Sequence, residues 1–243
     1  MAQRVLTLLE QRKTPVQARS VASVDAILEA TLQVLLQVGK ERLTTTRVAR
    51  RAGVSVGTLY QYFPNKSALL QAALKRHLVE VAEAVELVCK EQRGATLQAM
   101  VTALITAFLR AKMKDAKTSV ALYSVSSDVD GVKIVQQMGP RINQAILRML
   151  ASSCESLTTD PQLVASMIQG MMVGVSRRIL ESSAPEKQFD ILGHELSFAA
   201  CAYLDACSTR GLVESAGARR QATIRGHANS SSQSNANGVL QFG

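Results

Sequence analysis

Residues 44–66 read TTTRVARRAGVSVGTLYQYFPNK, and this stretch decides the fold. Val48, Ala49 and Ala52 give a short helix over about 45–52 a small apolar face, and Thr44 stands where an N-cap belongs. Gly53 follows, a residue that tolerates the positive φ of a sharp turn. Ser55 caps a second short helix over about 56–62, while Val54 and Leu59 plug the gap between the two. Small Ala49 lets the helices cross closely. Pro64-Asn65 ends the pair, and Asn65 can cap the next helix. Two short helices joined by a tight turn have helix-turn-helix geometry.

The stretch carries Arg47, Arg50, Arg51 and Lys66, four positive charges, and no acidic residue. Hydroxyls at Thr44, Thr45, Thr46, Ser55, Thr58, Tyr60 and Tyr62 add donors. Guanidinium and hydroxyl donors at helix N-termini suit backbone phosphates, which position a protein on a duplex. The formal net charge of the whole chain is +9. That charge attracts nucleic acid or an anionic membrane surface without choosing between them.

Outward from the motif, a helix over about 20–38 places Val24, Ile27, Leu28, Thr31, Leu32, Leu35 and Leu36 on one stripe, and Gly39 stops it. Beyond the motif, a long helix over about 66–90 carries Leu69, Leu70, Ala73, Leu74, Leu78, Val81 and Val85. Gly94 marks a break. Further helices are predicted at about 96–113, 115–126, 132–153, 160–182 and 188–207, with Pro140 expected to kink or interrupt the third. No alternating run predicts a strand. The expected fold is all-α: a basic arm over 1–19, a three-helix DNA-binding unit over 20–66, a larger helical regulatory and dimerisation domain over 67–207, and a disordered tail over 208–243.

The segment resembles the DNA-binding domain of the tetracycline-repressor (TetR) family. The resemblance is carried by Val48-Ala49, Ala52-Gly53-Val54-Ser55, Gly57-Thr58-Leu59-Tyr60, Tyr62-Phe63 and Asn65 to Leu70, with Ile27 to Ala30 and Gly39 before them. It implies that Thr45 and Thr46 touch phosphate and that Val56, Gly57, Thr58 and Gln61 face the major groove. It also implies that Tyr60 and Tyr62 reach phosphate or sugar and that Lys66 binds the backbone. Phe63 reads as core. Gln61 is the one base-reading amide of the recognition helix and can pair with adenine, so specificity is expected to be spread over weak contacts and DNA shape. Arg47 then serves as a phosphate clamp.

Beyond residue 75 the resemblance is weak, and pattern carries the reading. Two helices near the end suit the dimer interface the family implies. Gly170 and Gly174 share a face with Met167 and Met171, and Leu192, Leu196, Ala199 and Tyr203 supply the matching helix. Packing of the same face within one chain is the alternative. A homodimer places two recognition helices in successive major grooves, about 34–36 Å apart. A small-molecule effector is expected among the intermediate helices, where Met100, Leu104, Phe108, Met113, Leu122, Tyr123, Met138, Ile142, Ile146 and Met149 form either an adaptable wall or ordinary core. An apolar or amphipathic effector fits the scarcity of inward charges.

Other functions find less support. Gly53-Val54-Ser55-Val56-Gly57 fits the nucleophile-elbow pattern of serine hydrolases, but a basic helix precedes it where that elbow needs a strand, and no acid-base pair can be named. No enzyme is expected. An architectural DNA-binding protein would not need some 130 further residues of apolar helix. Cys89, Cys154, Cys201 and Cys207, with His77, His194 and His227, have no metal-ligand spacing, so neither metal nor cofactor is expected. The longest nearly apolar stretch, 163–176, is shorter than the ~20 residues of a spanning helix. A cytoplasmic protein without membrane partners is the expectation.

Overall fold

The computed structural model describes residues 18–208. The expected arm and tail lie outside these residues except at their inner edges. There, Ala18 already belongs to the first helix, and Ser208 is buried and bridged to Leu157.

The helices are α1 (Ala18–Arg42), α2 (Thr45–Ala52), α3 (Val56–Tyr62), α4 (Lys66–Glu91), α5 (Leu97–Met113), α6 (Ala116–Val125), a 3-10 turn (Ser126–Val129), α7 (Gly131–Leu150), α8 (Pro161–Leu180) and α9 (Pro185–Ala206). Among the described residues the only β-pairing is the isolated Leu157–Ser208 bridge. The caps explain the boundaries. Thr44, Ser55, Asn65, Thr96, Asp115 and Asp160 each accept a backbone N–H from the first turn they open, which leaves fewer orphan donors. Gly39 leaves helical space at φ 73° and ψ 171°, so α1 is broken one turn before its end. Pro140 departs from expectation. Helix α7 runs through it without interruption, and the carbonyl of Gly139 takes a hydrogen bond from Gln169 Nε2 at 3.2 Å.

Two apolar cores organise these elements. The first gathers α1 to α3 around Ile27, Leu28, Leu59 and Phe63, together with Leu69 to Leu74 from the start of α4. It also takes in Leu122, Val125, Val129 and Ile134 from α6, the 3-10 turn and α7. The second core holds Val81 to Cys89 of α4 with α5 and α7 to α9. Packing therefore does not divide at residue 66: α4 belongs to both cores, and α6 ends inside the first. Lys40 Nζ meets Asp128 Oδ2 at 2.9 Å and adds a polar tie between α1 and the 3-10 turn.

Leu36 corrects the expected α1 stripe. It is 46% exposed, while Ala30 and Val34 are buried beside Thr31 and Leu35. Thr31 is tolerated there because its hydroxyl donates to the Ile27 carbonyl at 2.7 Å. Helix α8 and the α1 stretch Ser20–Arg42 are each long and apolar enough, by length and composition, to cross a bilayer, which the expected 14-residue limit did not anticipate. Each also buries a face within the fold.

Candidate nucleic-acid interface

Helices α2 and α3 pack through Val48, Ala49 and Leu59, all at most 1% exposed. Gly53 sits at φ 70° and ψ 27° and closes α2 through its own N–H, while the Val54 N–H reaches the Ala49 carbonyl at 3.0 Å. That left-handed residue turns the chain so that α3 starts at once, and Ser55 accepts the Thr58 N–H at 2.9 Å.

What remains outward is the polar edge. Thr46, Arg47, Ser55, Gly57, Tyr60 and Gln61 are exposed, and Thr45, Val56, Thr58, Tyr62 and Lys66 are half-buried. Among the described residues Arg47, Arg50 and Arg51 have no ion-pair partner, and with Gln37 they line a groove of about 410 Å³ between α1 and α2. Arg51 Nε donates to Gln33 Oε1 at 2.6 Å. Ser55 and Thr58 hydroxyls face one another at 2.8 Å, and Thr45 Oγ1 lies 3.0 Å from Tyr60 Oη. Gly57 leaves the start of α3 open: a Cβ there would touch only Ser55 Oγ, at an ordinary 3.7 Å.

Three residues sit deeper than the sequence reading supposed. Val56 and Tyr62 pack against the first core, so only part of each faces outward. Lys66 Nζ donates to the Lys40 carbonyl at 2.6 Å, tying the start of α4 to the end of α1. That bond uses one of the three ammonium donors, so the carbonyl fixes the position of Nζ and leaves donors for a phosphate.

Helices α8 and α9 lie far along the chain from this edge. Met167, Gly170, Gly174 and Ala199 are exposed, and a Cβ on either glycine would meet no neighbour within 4 Å. Leu196 is a correction: it is 4% exposed and belongs to the second core, and Met171, Leu192 and Tyr203 pack against that core. The outward face of α9 is instead marked by Ile191 and Phe198, 60% and 67% exposed, and that of α8 also shows Leu163 and Val173. Both stripes of α9 are apolar, so periodicity alone does not say which one faces inward. In the regulatory region, Met100, Leu104, Phe108, Leu122, Met138, Ile146 and Met149 are all packed into core, and Met113, Tyr123 and Ile142 are half-buried.

Comparison with known proteins places these features in a family. Residues 27–73 match the profile of bacterial regulatory proteins of the tetR family, and residues 96–204 match the tetracyclin repressor-like C-terminal domain. The chain is 28% identical over 144 residues to the HTH-type transcriptional repressor KstR of Rhodococcus jostii (strain RHA1), covering 58% of this chain and 65% of KstR. It is 39% identical over 61 residues to the HTH-type transcriptional regulator BetI of Serratia proteamaculans (strain 568), covering 25% of this chain and 31% of BetI. The chain thus spans just under two thirds of one relative and about a third of the other. The crystal structure of a protein described as a TetR-family regulator, from Mesorhizobium loti MAFF303099, superposes with a TM-score of 0.56 at 20% identity, over 79% of this chain and 99% of that one. At that identity the likeness concerns the fold.

Proposed function

Since the chain belongs to the TetR family of DNA-binding transcriptional regulators, we propose that it is a repressor that holds an operator as a homodimer and releases it when a small molecule binds. The observation that carries this reading is the outward edge of α2 and α3. It offers Thr45, Thr46, Arg47, Ser55, Thr58, Tyr60 and Gln61 and, across residues 44–66, no carboxylate. Thr45, Thr46, Arg47 and Ser55 take phosphates, Tyr60 and Tyr62 take phosphate or sugar, and Lys66 takes the backbone with the ammonium donors that the Lys40 carbonyl leaves over. Val56, Gly57, Thr58 and Gln61 read the groove. Residues 20–66 carry DNA binding in this reading, and 67–207 carry regulation and dimerisation.

The homodimer is supported by the outward faces of α8 and α9. Leu163, Met167, Val173, Ile191 and Phe198 are 42–67% exposed there, a concentration of apolar surface that marks a protein contact. In this reading the protein acts on DNA in the cytoplasm.

Selection of bound duplexes from a random pool by the full chain tests the reading. A preferred sequence should emerge, and its affinity should fall steeply with salt as phosphate contacts release counterions. If no duplex competes better than heparin at modest ionic strength, the regulator reading fails.

A further inference from the structure

The residues of helix α6 meet three surroundings. Leu122 and Val125 enter the core of the DNA-binding unit. Thr118 and Ser119 are buried, and Ser119 Oγ reaches His77 of α4 at 3.2 Å and the Lys112 carbonyl at 2.5 Å. Val120 and Ala121 line a cleft of about 620 Å³. Leu36 of α1 and Pro185 at the start of α9 also line it.

This volume is in the range of small-molecule sites, roughly 300–1,000 Å³. Leu36, one of the large apolar side chains left exposed on the DNA-binding unit, lies in its wall. Lys117 and Lys187 stand on the cleft with no carboxylate of the described residues in ion-pair range, against the single acid Glu186 of its lining. Tyr123 donates to Glu181, which also holds Arg177 at 2.9 Å, so α6 is pinned to the end of α8 beside the cleft. The inner wall expected to receive an effector is, by contrast, packed solid at Met100, Leu104 and Ile146.

We propose that this cleft binds a small amphipathic anion. Its apolar body lies against Leu36, Val120, Ala121 and Pro185, and its anionic group lies at Lys117 and Lys187. The occupant touches α1, α6 and α9, so it bears on how the DNA-binding unit sits against the regulatory domain. It shifts DNA affinity by the difference in its own affinity for the two arrangements. That consequence rests on the repressor reading; the binding site itself does not.

Calorimetric titration of the full chain with decanoate and with decyltrimethylammonium, both below the concentration at which they aggregate, tests the site. Decanoate should bind one per chain, about tenfold more tightly than the cation, the scale of two exposed charge pairs. The double reversal Lys117→Glu/Lys187→Glu, at two exposed positions, should invert that preference. Val120→Trp, folded by circular dichroism, should lose both probes. Equal binding of the two probes, or decanoate affinity untouched by the charge reversal, would overturn the proposal. Duplex binding by the chain without probe is scored separately, so a failed regulator reading shows as no duplex binding whatever the cleft does.

Discussion

Thr45 Oγ1 lies 3.0 Å from Tyr60 Oη, joining the first residue of α2 to the middle of α3. In this pair only one hydroxyl can donate to the other, so one O–H remains free for an outside acceptor. Tyr60 is 37% exposed, and its ring can stay in place without the oxygen. Tyr60→Phe should therefore cost less than about 1 kcal/mol of stability, as for other exposed hydrogen bonds. Affinity for a selected duplex should fall about tenfold, the scale of a lost bond to a charged acceptor. Thermal unfolding and gel-shift titration separate the two effects. Unchanged duplex affinity would make Tyr60 a packing residue alone.

Two glycines are needed for different reasons. At Gly53 a Cβ would meet nothing within 4 Å, but φ is +70°, so Gly53→Ala should cost about 1–2 kcal/mol through the backbone alone. At Gly131 a Cβ would lie 2.6 Å from the Ser126 carbonyl oxygen, with no flexible side chain to yield. Gly131→Ala should cost more than Gly53→Ala and loosen the turn over 126–131 that carries Asp128 to Lys40. Urea unfolding of both variants ranks them, and the reverse order would contradict the steric argument.

Local chemistry made the helix-turn-helix legible. Caps at Thr44, Ser55 and Asn65 and the left-handed Gly53 act over a few residues, so the residue types alone specify them. What was hidden depends on distant packing. The entry of Leu122 and Val125 into the first core could not be read from α6, where those residues look like any apolar pair. Leu36 follows Leu28 and Leu32 at four-residue spacing, yet it lies half a turn round the helix from Ile27, on the side left outside the core. Lys66 looked free because its partner is a backbone carbonyl 26 residues earlier. On α9, apolar residues on opposite sides left Leu196 and Phe198 equally eligible for the surface.

Arg141 makes a two-pronged contact with Glu86, one prong at 2.7 Å, and joins α7 to α4 with both side chains about a third exposed. Such paired geometry is stronger than a single surface contact. Glu86→Gln should lower stability by about 1–2 kcal/mol, and a double-mutant cycle with Arg141→Gln should give a coupling near 1 kcal/mol. The urea midpoint should move while its slope stays constant. A coupling indistinguishable from zero would mean the pair adds nothing.

His77 should make the α4–α6 junction acid-sensitive. The Ser119 hydroxyl gives its one proton to the Lys112 carbonyl, so the His77 Nε2, 3.2 Å away, must carry hydrogen and donate to Ser119. Burial, reinforced by the Lys112 and Arg76 charges and opposed by Asp115, pushes the His77 pKa from 6.5 down to about 4. Burial likewise lowers Lys112 to about 8, so Lys112 stays charged through the acid range and repels a protonated His77. Because the folded value is the lower one, the unfolded chain takes up the proton first. The contribution is complete above pH 6.5, shrinks as pH falls toward 4, and is absent below that, about 3 kcal/mol in all with roughly 2 kcal/mol gone by pH 5. His77→Gln keeps an N–H for Ser119 and does not titrate. Urea midpoints at pH 7.5 and pH 5 should therefore converge for the variant relative to the parent, since carboxylates other than Asp115 contribute equally to both. Parallel losses in the two proteins would show that His77 does not titrate from a shielded site.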